Sequence, residues 1–161
     1  MTAGNAFIQT MKHPIKFRMF LFLQLPSAFF SGVRMRSLDA QVCTTSVPFK
    51  WFSQNPFRST YFACLAMAAE MSTGLLAMLQ VRSSTTAVSM LVVKLEGNYF
   101  KKAVERTLFT CTDGAAIKAA IETAVRTGIP QTIRARSMGT NSKGAPVAEF
   151  FITWSFKSKA S

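Results

Sequence analysis

Seven carboxylates are spread along the 161 residues. Six of them, Asp39, Glu96, Glu105, Asp113, Glu122 and Glu149, sit beside polar neighbours, turns or helix ends. The seventh, Glu70, stands in the run FACLAMAAEM, residues 62 to 71, among Ala, Met, Leu and Phe. A carboxyl without a partner in apolar surroundings is costly and drifts toward its protonated form. Next to a bound substrate such a group serves as a base or a nucleophile. The structural alternative is an Arg partner, which would make Glu70 half of a buried ion pair.

Other catalytic chemistries find little support. His13 is the only histidine, and no Gly-x-Ser-x-Gly elbow accompanies it, so a Ser-His-Asp triad has nothing to stand on. Cys43, Cys64 and Cys111 are widely spaced and form no Cys-x-x-Cys pair. They predict reduced thiols, with neither a zinc site nor a disulfide framework. The loop GTNSKGAP, residues 139 to 146, lacks the Gly-Lys-Ser of a phosphate loop.

A helix must hold Glu70, and the composition supports a core able to enclose one. Hydrophobic residues make up 49% of the chain and charged residues 16%, which is low. The length predicts one domain over 1–161. Fifteen Phe point to an aromatic core or a greasy ligand site. The net charge of +12 favours anionic partners: nucleic acid, acidic proteins, membranes or phosphate-bearing ligands. A basic surface that only keeps the protein in solution is the plainer reading.

Hydrophobic spacing predicts a helix over 3–12 and, after Pro14, a second over 15–24. Strand signals follow at 33–39 and 40–51, where Pro48 implies an edge or a bulge. Asn55-Pro56 marks a turn, and Ser59 is a helix N-cap candidate. The stretch from about 60 to 79 is apolar on every face, as in a helix buried all round. Gly74 would weaken it, so its presence implies a tight contact or a bound ligand. Residues 87–96 predict a central strand, apolar on both faces. A Gly97-Asn98 turn then leads to a strand over 102–112. An amphipathic helix over 114–127 buries Ile117, Ala120, Ile121 and Ala124, and Gly128 ends it. A hairpin of 132–138 with 147–157 closes the chain, with Phe150, Ile152, Trp154 and Phe156 on one face. The order predicts an α+β fold, a mostly antiparallel sheet around one apolar helix. The segment KFRMFLFLQLPSAFFSG, residues 16 to 32, has the outline of a signal peptide. Its late position, Gln24, Pro26 and the lack of a clean cleavage site argue against that.

Several segments carry a family resemblance: LPSAFFSG (25–32), NPFRSTYFA (55–63), AAEMSTG (68–74) and VSMLVVKLEGNYFKKA (88–103). With the order of elements, they make the chain similar to hotdog-fold thioesterase-like proteins of bacteria, many of them uncharacterised. The resemblance implies a curved antiparallel sheet around one long helix, here with extra N-terminal helices. It also implies acyl-thioester substrates, usually coenzyme A esters, and active sites at a dimer interface. Glu70 then holds the position of the catalytic carboxylate. Asn55, about fifteen residues upstream, holds that of the residue that places water or substrate. Thr73 resembles the supporting hydroxyl. Ser59, Tyr61 and Phe62 are candidates for touching substrate. Where the family has His-Gly or Gly-Gly at the helix start, this chain has Ser59-Thr60-Tyr61-Phe62. That leaves open which amide polarises the carbonyl.

Arg82, Lys101 and Lys102 are the candidates for binding coenzyme A phosphates. Coenzyme A enters only as part of the substrate, so no separate cofactor and no metal are expected. The expected assembly is a cytoplasmic homodimer, able to pair into a tetramer, with no membrane partner. A non-catalytic acyl-thioester binder is the second reading. A basic nucleic-acid binder is the third. The aromatics follow core patterns and do not interleave with Lys and Arg as stacking platforms would, which counts against the third. Hotdog dehydratases and hydratases use a His, and none lies near residues 55–74.

Overall fold

The computed structural model describes residues 3–159. Three helices open the chain: α1 (Ala3–Lys12), α2 (Pro14–Gln24) and α3 (Pro26–Ser31). Strands β1 (Arg34–Leu38) and β2 (Cys43–Val47) follow, then a short 3-10 turn (Trp51–Ser53) and the long helix α4 (Phe62–Ser83). Next come β3 (Val88–Tyr99), β4 (Thr107–Cys111), helix α5 (Gly114–Thr127), β5 (Gln131–Thr140) and β6 (Pro146–Ser158). All strand pairings are antiparallel, in the order β1-β2-β4-β5-β6-β3.

The sheet wraps α4, which touches all six strands. The helix is buried over most of its surface from Cys64 to Gln80, with Ala66, Met67, Glu70 and Met78 only partly covered, and this accounts for its lack of a polar stripe. It is long and apolar enough to cross a membrane, yet 67% of its apolar window is buried inside the fold. Helix α5 buries Ile117, Ile121 and Ala124 against α4, β5 and β6, and Lys118 pairs with Glu122 on its open side. Gly128, at φ 69°, stops it in the left-handed region. On β6, Phe150, Ile152, Trp154 and Phe156 all face the core. Phe151 interrupts the polar face of that strand. There the Arg134 guanidinium lies 3.5 Å from its ring centre while donating to Glu96 at 2.9 Å.

Several local expectations need correction. Strand β3 is not central: among the described residues it pairs only with β6 and forms an edge. Gly97 and Asn98 lie inside β3 rather than in a turn. Gly97 sits opposite Phe150, and a Cβ there would stand 2.8 Å from Phe150 Cε1, so packing explains this glycine. The next strand is shorter than expected and pairs with β2 and β5 rather than with β3. Strand β2 is interior and ends at Val47, so Pro48 falls just outside the ladder. The segment 16–32 forms most of α2 and all of α3. Pro14 and Pro26 occupy first helical positions, where the missing N–H costs nothing. Ser59 is not the cap of α4; Tyr61 is, without a side-chain capping bond.

Candidate active site

Glu70 is partly buried on α4, and among the described residues its carboxyl has no ion pair and no hydrogen bond. Burial pushes its pKa above the ordinary carboxyl value. The Arg partner of the structural alternative is therefore not found. The carboxyl borders a cleft of about 270 Å³ whose lining includes Gln24, Leu25, Ser27, Met67 and Met71. On another side it meets Gly74 and Trp154: a Cβ on Gly74 would stand 3.1 Å from Glu70 Oε1 and 3.3 Å from Trp154 Cζ2. The tight contact expected at Gly74 is thus explained by these two side chains.

Thr73 is fully buried, and its hydroxyl is engaged inside the fold. It donates to the Glu70 backbone carbonyl at 2.9 Å and accepts from Trp154 Nε1 at 2.9 Å. Thr73 therefore fixes the indole that flanks Glu70 and makes no bond to the carboxyl itself.

Asn55 builds a second site at the start of α4. Its Oδ1 accepts from Phe57 N–H, Ser59 N–H and the Ser59 hydroxyl at 3.0 to 3.2 Å. This is an Asx turn, and it carries Arg58 through the left-handed region at φ 57°. The Asn55 Oδ1 is consumed by the turn. Thr60 bonds Ala103 O through both its N–H and its hydroxyl. These contacts shape a cleft of about 540 Å³ whose lining includes Asn55, Ser59, Tyr61, Phe62, Lys101 and Lys102. Tyr61 and Phe62 are exposed and meet edge to face at 4.8 Å. Helix α4 starts here without a side-chain cap, with the Cys64 and Leu65 N–H groups bonded to Tyr61 O, and the helix dipole adds positive potential. Lys102 Nζ donates to Phe57 O at 3.3 Å.

The structure brings Asn55, Ser59, Tyr61, Phe62, Lys101 and Lys102 together, but it does not place Glu70 with them. Eight residues of helix put Glu70 about 12 Å along α4 from Phe62. Arg82 lies farther still, about 30 Å from the helix start, with its guanidinium 5.0 Å from the ring centre of Phe7 on α1. Within one protomer it cannot share a ligand phosphate with Lys101 and Lys102.

Trp154 and the α2–α3 junction are the parts of the site that sequence reasoning missed. Trp154 read as core, and it is 5% exposed; its contact with Thr73 depends on strand register. Gln24 had shown only as a break in an apolar run, and here it borders the Glu70 cleft beside Ser27. Cys43, Cys64 and Cys111 are free and buried, and burial pushes the Cys111 thiol up to about 12, so no reactive thiolate forms there. Among the described residues no three His, Cys, Asp or Glu side chains converge as metal ligands would.

No protein-family model matches the sequence, and no curated protein does either. Solved structures do match in shape. A protein of unknown function from Chlorobaculum tepidum superposes with a TM-score of 0.78 at 18% identity, covering 95% of this chain and 99% of its own. A Pseudomonas aeruginosa protein described as a probable thioesterase gives 0.73 at 19%, covering 92% and 99%. A Staphylococcus aureus thioesterase with a glutamine replaced by alanine gives 0.61 at 15%, covering 79% and 94%. The same protein, with a glutamate fifteen positions later replaced by alanine, gives 0.58 at 13%, covering 80% and 95%. These likenesses establish the fold: the chain is an α+β hotdog protein, a curved antiparallel sheet closed around α4.

Proposed function

We propose that this protein hydrolyses acyl thioesters, with coenzyme A esters as substrates and Glu70 as base or nucleophile. The observation that carries this reading is the Glu70 carboxyl: partly buried, without an ionic or hydrogen-bonding partner among the described residues, and open to a cleft. A structural carboxylate in such a place would be paired; a catalytic one waits for substrate. Support also comes from the Staphylococcus aureus thioesterase, whose substituted glutamine and glutamate are spaced as Asn55 and Glu70 are here.

In this reading the work is divided between two copies of the chain. Strand β3 offers an unpaired edge twelve residues long, and Leu91, Val93 and Leu95 on it are exposed. Pairing two such edges about a two-fold axis would let Glu70 of one copy serve the cleft at the α4 start of the other. The uncapped amides there would polarise the thioester carbonyl. Asn55 Nδ2 would hold water or substrate, and Lys101 and Lys102 would meet the coenzyme A phosphates. Glu70 would then attack the carbonyl carbon, expelling the coenzyme A thiolate and leaving an acyl-glutamyl anhydride for water to hydrolyse, or it would take a proton from a water whose oxygen adds to the carbonyl as the thiolate leaves.

The test is release of free thiol from a panel of acyl-coenzyme A esters by the purified protein. Turnover on at least one member is the expected result. Binding of the esters with no thiol release would replace hydrolysis with the non-catalytic acyl-thioester binder.

A further inference from the structure

Helix α2 is apolar on two faces and packs only one of them. Phe17 and Leu21 are buried in the core, whereas Ile15, Met19, Phe22 and Leu23 run at helical spacing along the opposite side, 52% to 66% exposed. The outer stripe continues without a break into a chain of rings. Phe22 lies 6.4 Å from Phe30, Phe30 lies 5.8 Å from Phe52, and Phe52 lies 4.8 Å from Trp51, which is 74% exposed. A continuous apolar ridge of this kind marks an interaction surface.

Unpaired cations rim the ridge. Arg18 borders the same apolar surface, with its guanidinium 3.9 Å from the Phe29 ring centre. With Lys12, Arg34 and Arg36 it also lines an adjoining cleft of about 530 Å³. None of these four makes an ion pair within the described residues. Arg34 repels both Arg18 and Arg36, and Arg106 repels Arg36, so positive charge dominates the cluster. Asp39, the one acid lining this cleft, accepts from the Gln41 and Val42 amides and offsets part of that charge next to Lys12, leaving the three arginines in excess.

We propose that the α2 ridge and its cationic rim dock the protein onto the surface of an anionic lipid bilayer. Trp, Phe, Leu and Ile beside Lys and Arg is the composition by which interfacial helices settle at the headgroup boundary. Charge decides against a second copy as occupant: two ridges face to face would bring the Arg18, Arg34 and Arg36 clusters together in a chain of net charge +12. The cationic rim adjoins β1, which stands at the opposite end of the strand order from β3. Residues of the α2–α3 junction wall the Glu70 cleft, so docking would set that cleft beside the lipid. This peripheral contact departs from the sequence-based expectation of no membrane partner, and it does not depend on the hydrolytic reading.

Full-length protein is co-sedimented with vesicles of phosphatidylcholine alone and of phosphatidylcholine mixed with phosphatidylglycerol, at low and at physiological salt. Binding to the anionic vesicles, weakened by salt, is expected. The emission of exposed Trp51 should shift to the blue, since buried Trp154 gives no such change. The pair Phe22→Ser and Trp51→Ser, and separately the pair Arg18→Ser and Arg34→Ser, should each cut binding about tenfold with the melting temperature kept. The proposal is overturned if anionic vesicles bring neither sedimentation nor an emission shift, or if folded variants bind as well as the parent. It is equally overturned if the ridge variants lower the oligomer mass in light scattering, or if the ridge captures single-stranded RNA but no vesicles.

Discussion

Glu70 and Trp154 border one gap, the space that Gly74 leaves by having no side chain. The indole is held in place by its hydrogen bond to Thr73, so the carboxyl rests against a fixed apolar wall. This wall helps keep water from Glu70 and raises its pKa. A methyl group at position 74 would stand 3.1 Å from Glu70 Oε1, and the carboxyl, as the mobile partner, would move. Gly74→Ala should therefore change stability little, because a helix gains about 1 kcal/mol from Ala over Gly and loses a similar amount to crowding. Turnover should fall about tenfold as the carboxyl shifts. Denaturant melts and thiol-release kinetics on the same sample check this, and an unchanged rate would separate the gap from catalysis.

The pH dependence follows from the same wall. The folded-state pKa of Glu70 lies above its unfolded value, so folding keeps a proton that the unfolded chain gives up. The stabilising effect of the protonated form is present below the unfolded pKa and is lost as pH rises through the folded one. Relative to Glu70→Gln, the parent should lose stability across that window, while its hydrolysis should rise as the carboxylate forms. Melting curves and rates over pH 4 to 8 would show the two trends running in opposite directions.

Assembly is tested at β3. Replacing Leu91 and Val93 with Lys places charges on the exposed edge strand. Light scattering of the parent at micromolar concentration should give a dimer or a higher even assembly, and the variant should shift toward monomer with loss of hydrolysis. A monomeric parent with full turnover would refute a shared active site.

Ligand binding is tested at the α4 start. Free coenzyme A at millimolar concentration should raise the melting temperature by mass action. Lys101→Ala with Lys102→Ala should weaken that shift, whereas Arg82→Ala should not, because Arg82 stacks on Phe7 at the far end of the helix. An equal loss from Arg82→Ala would mean that ligand phosphates reach another surface.

Much of this architecture is legible in the chain itself. The all-apolar pattern of α4, the heptad-like face of α5 and the alternation on β6 are local signals, and each names its element. Glu70 stood out for the same reason, as a lone acid in an apolar run. The place of β3 was not legible, because a strand apolar on both faces reads as central whether protein or a second copy covers it. Gly97 read as a turn because its true cause, Phe150, lies far away in sequence. The hydrogen bond from Trp154 to Thr73 and the distance between Arg82 and Lys101 likewise depend on register and helix length, which local patterns do not carry.

The central claim is that Glu70 performs the hydrolysis. Glu70→Gln keeps size and hydrogen bonding but removes the charge that attacks or activates water. With no Arg beside it to strand, the variant should melt at the same temperature or higher at neutral pH. Its thiol release from the preferred acyl-coenzyme A ester should fall a hundredfold or more, the approximate scale of acid–base groups. A destabilised variant with normal specific activity would contradict the account.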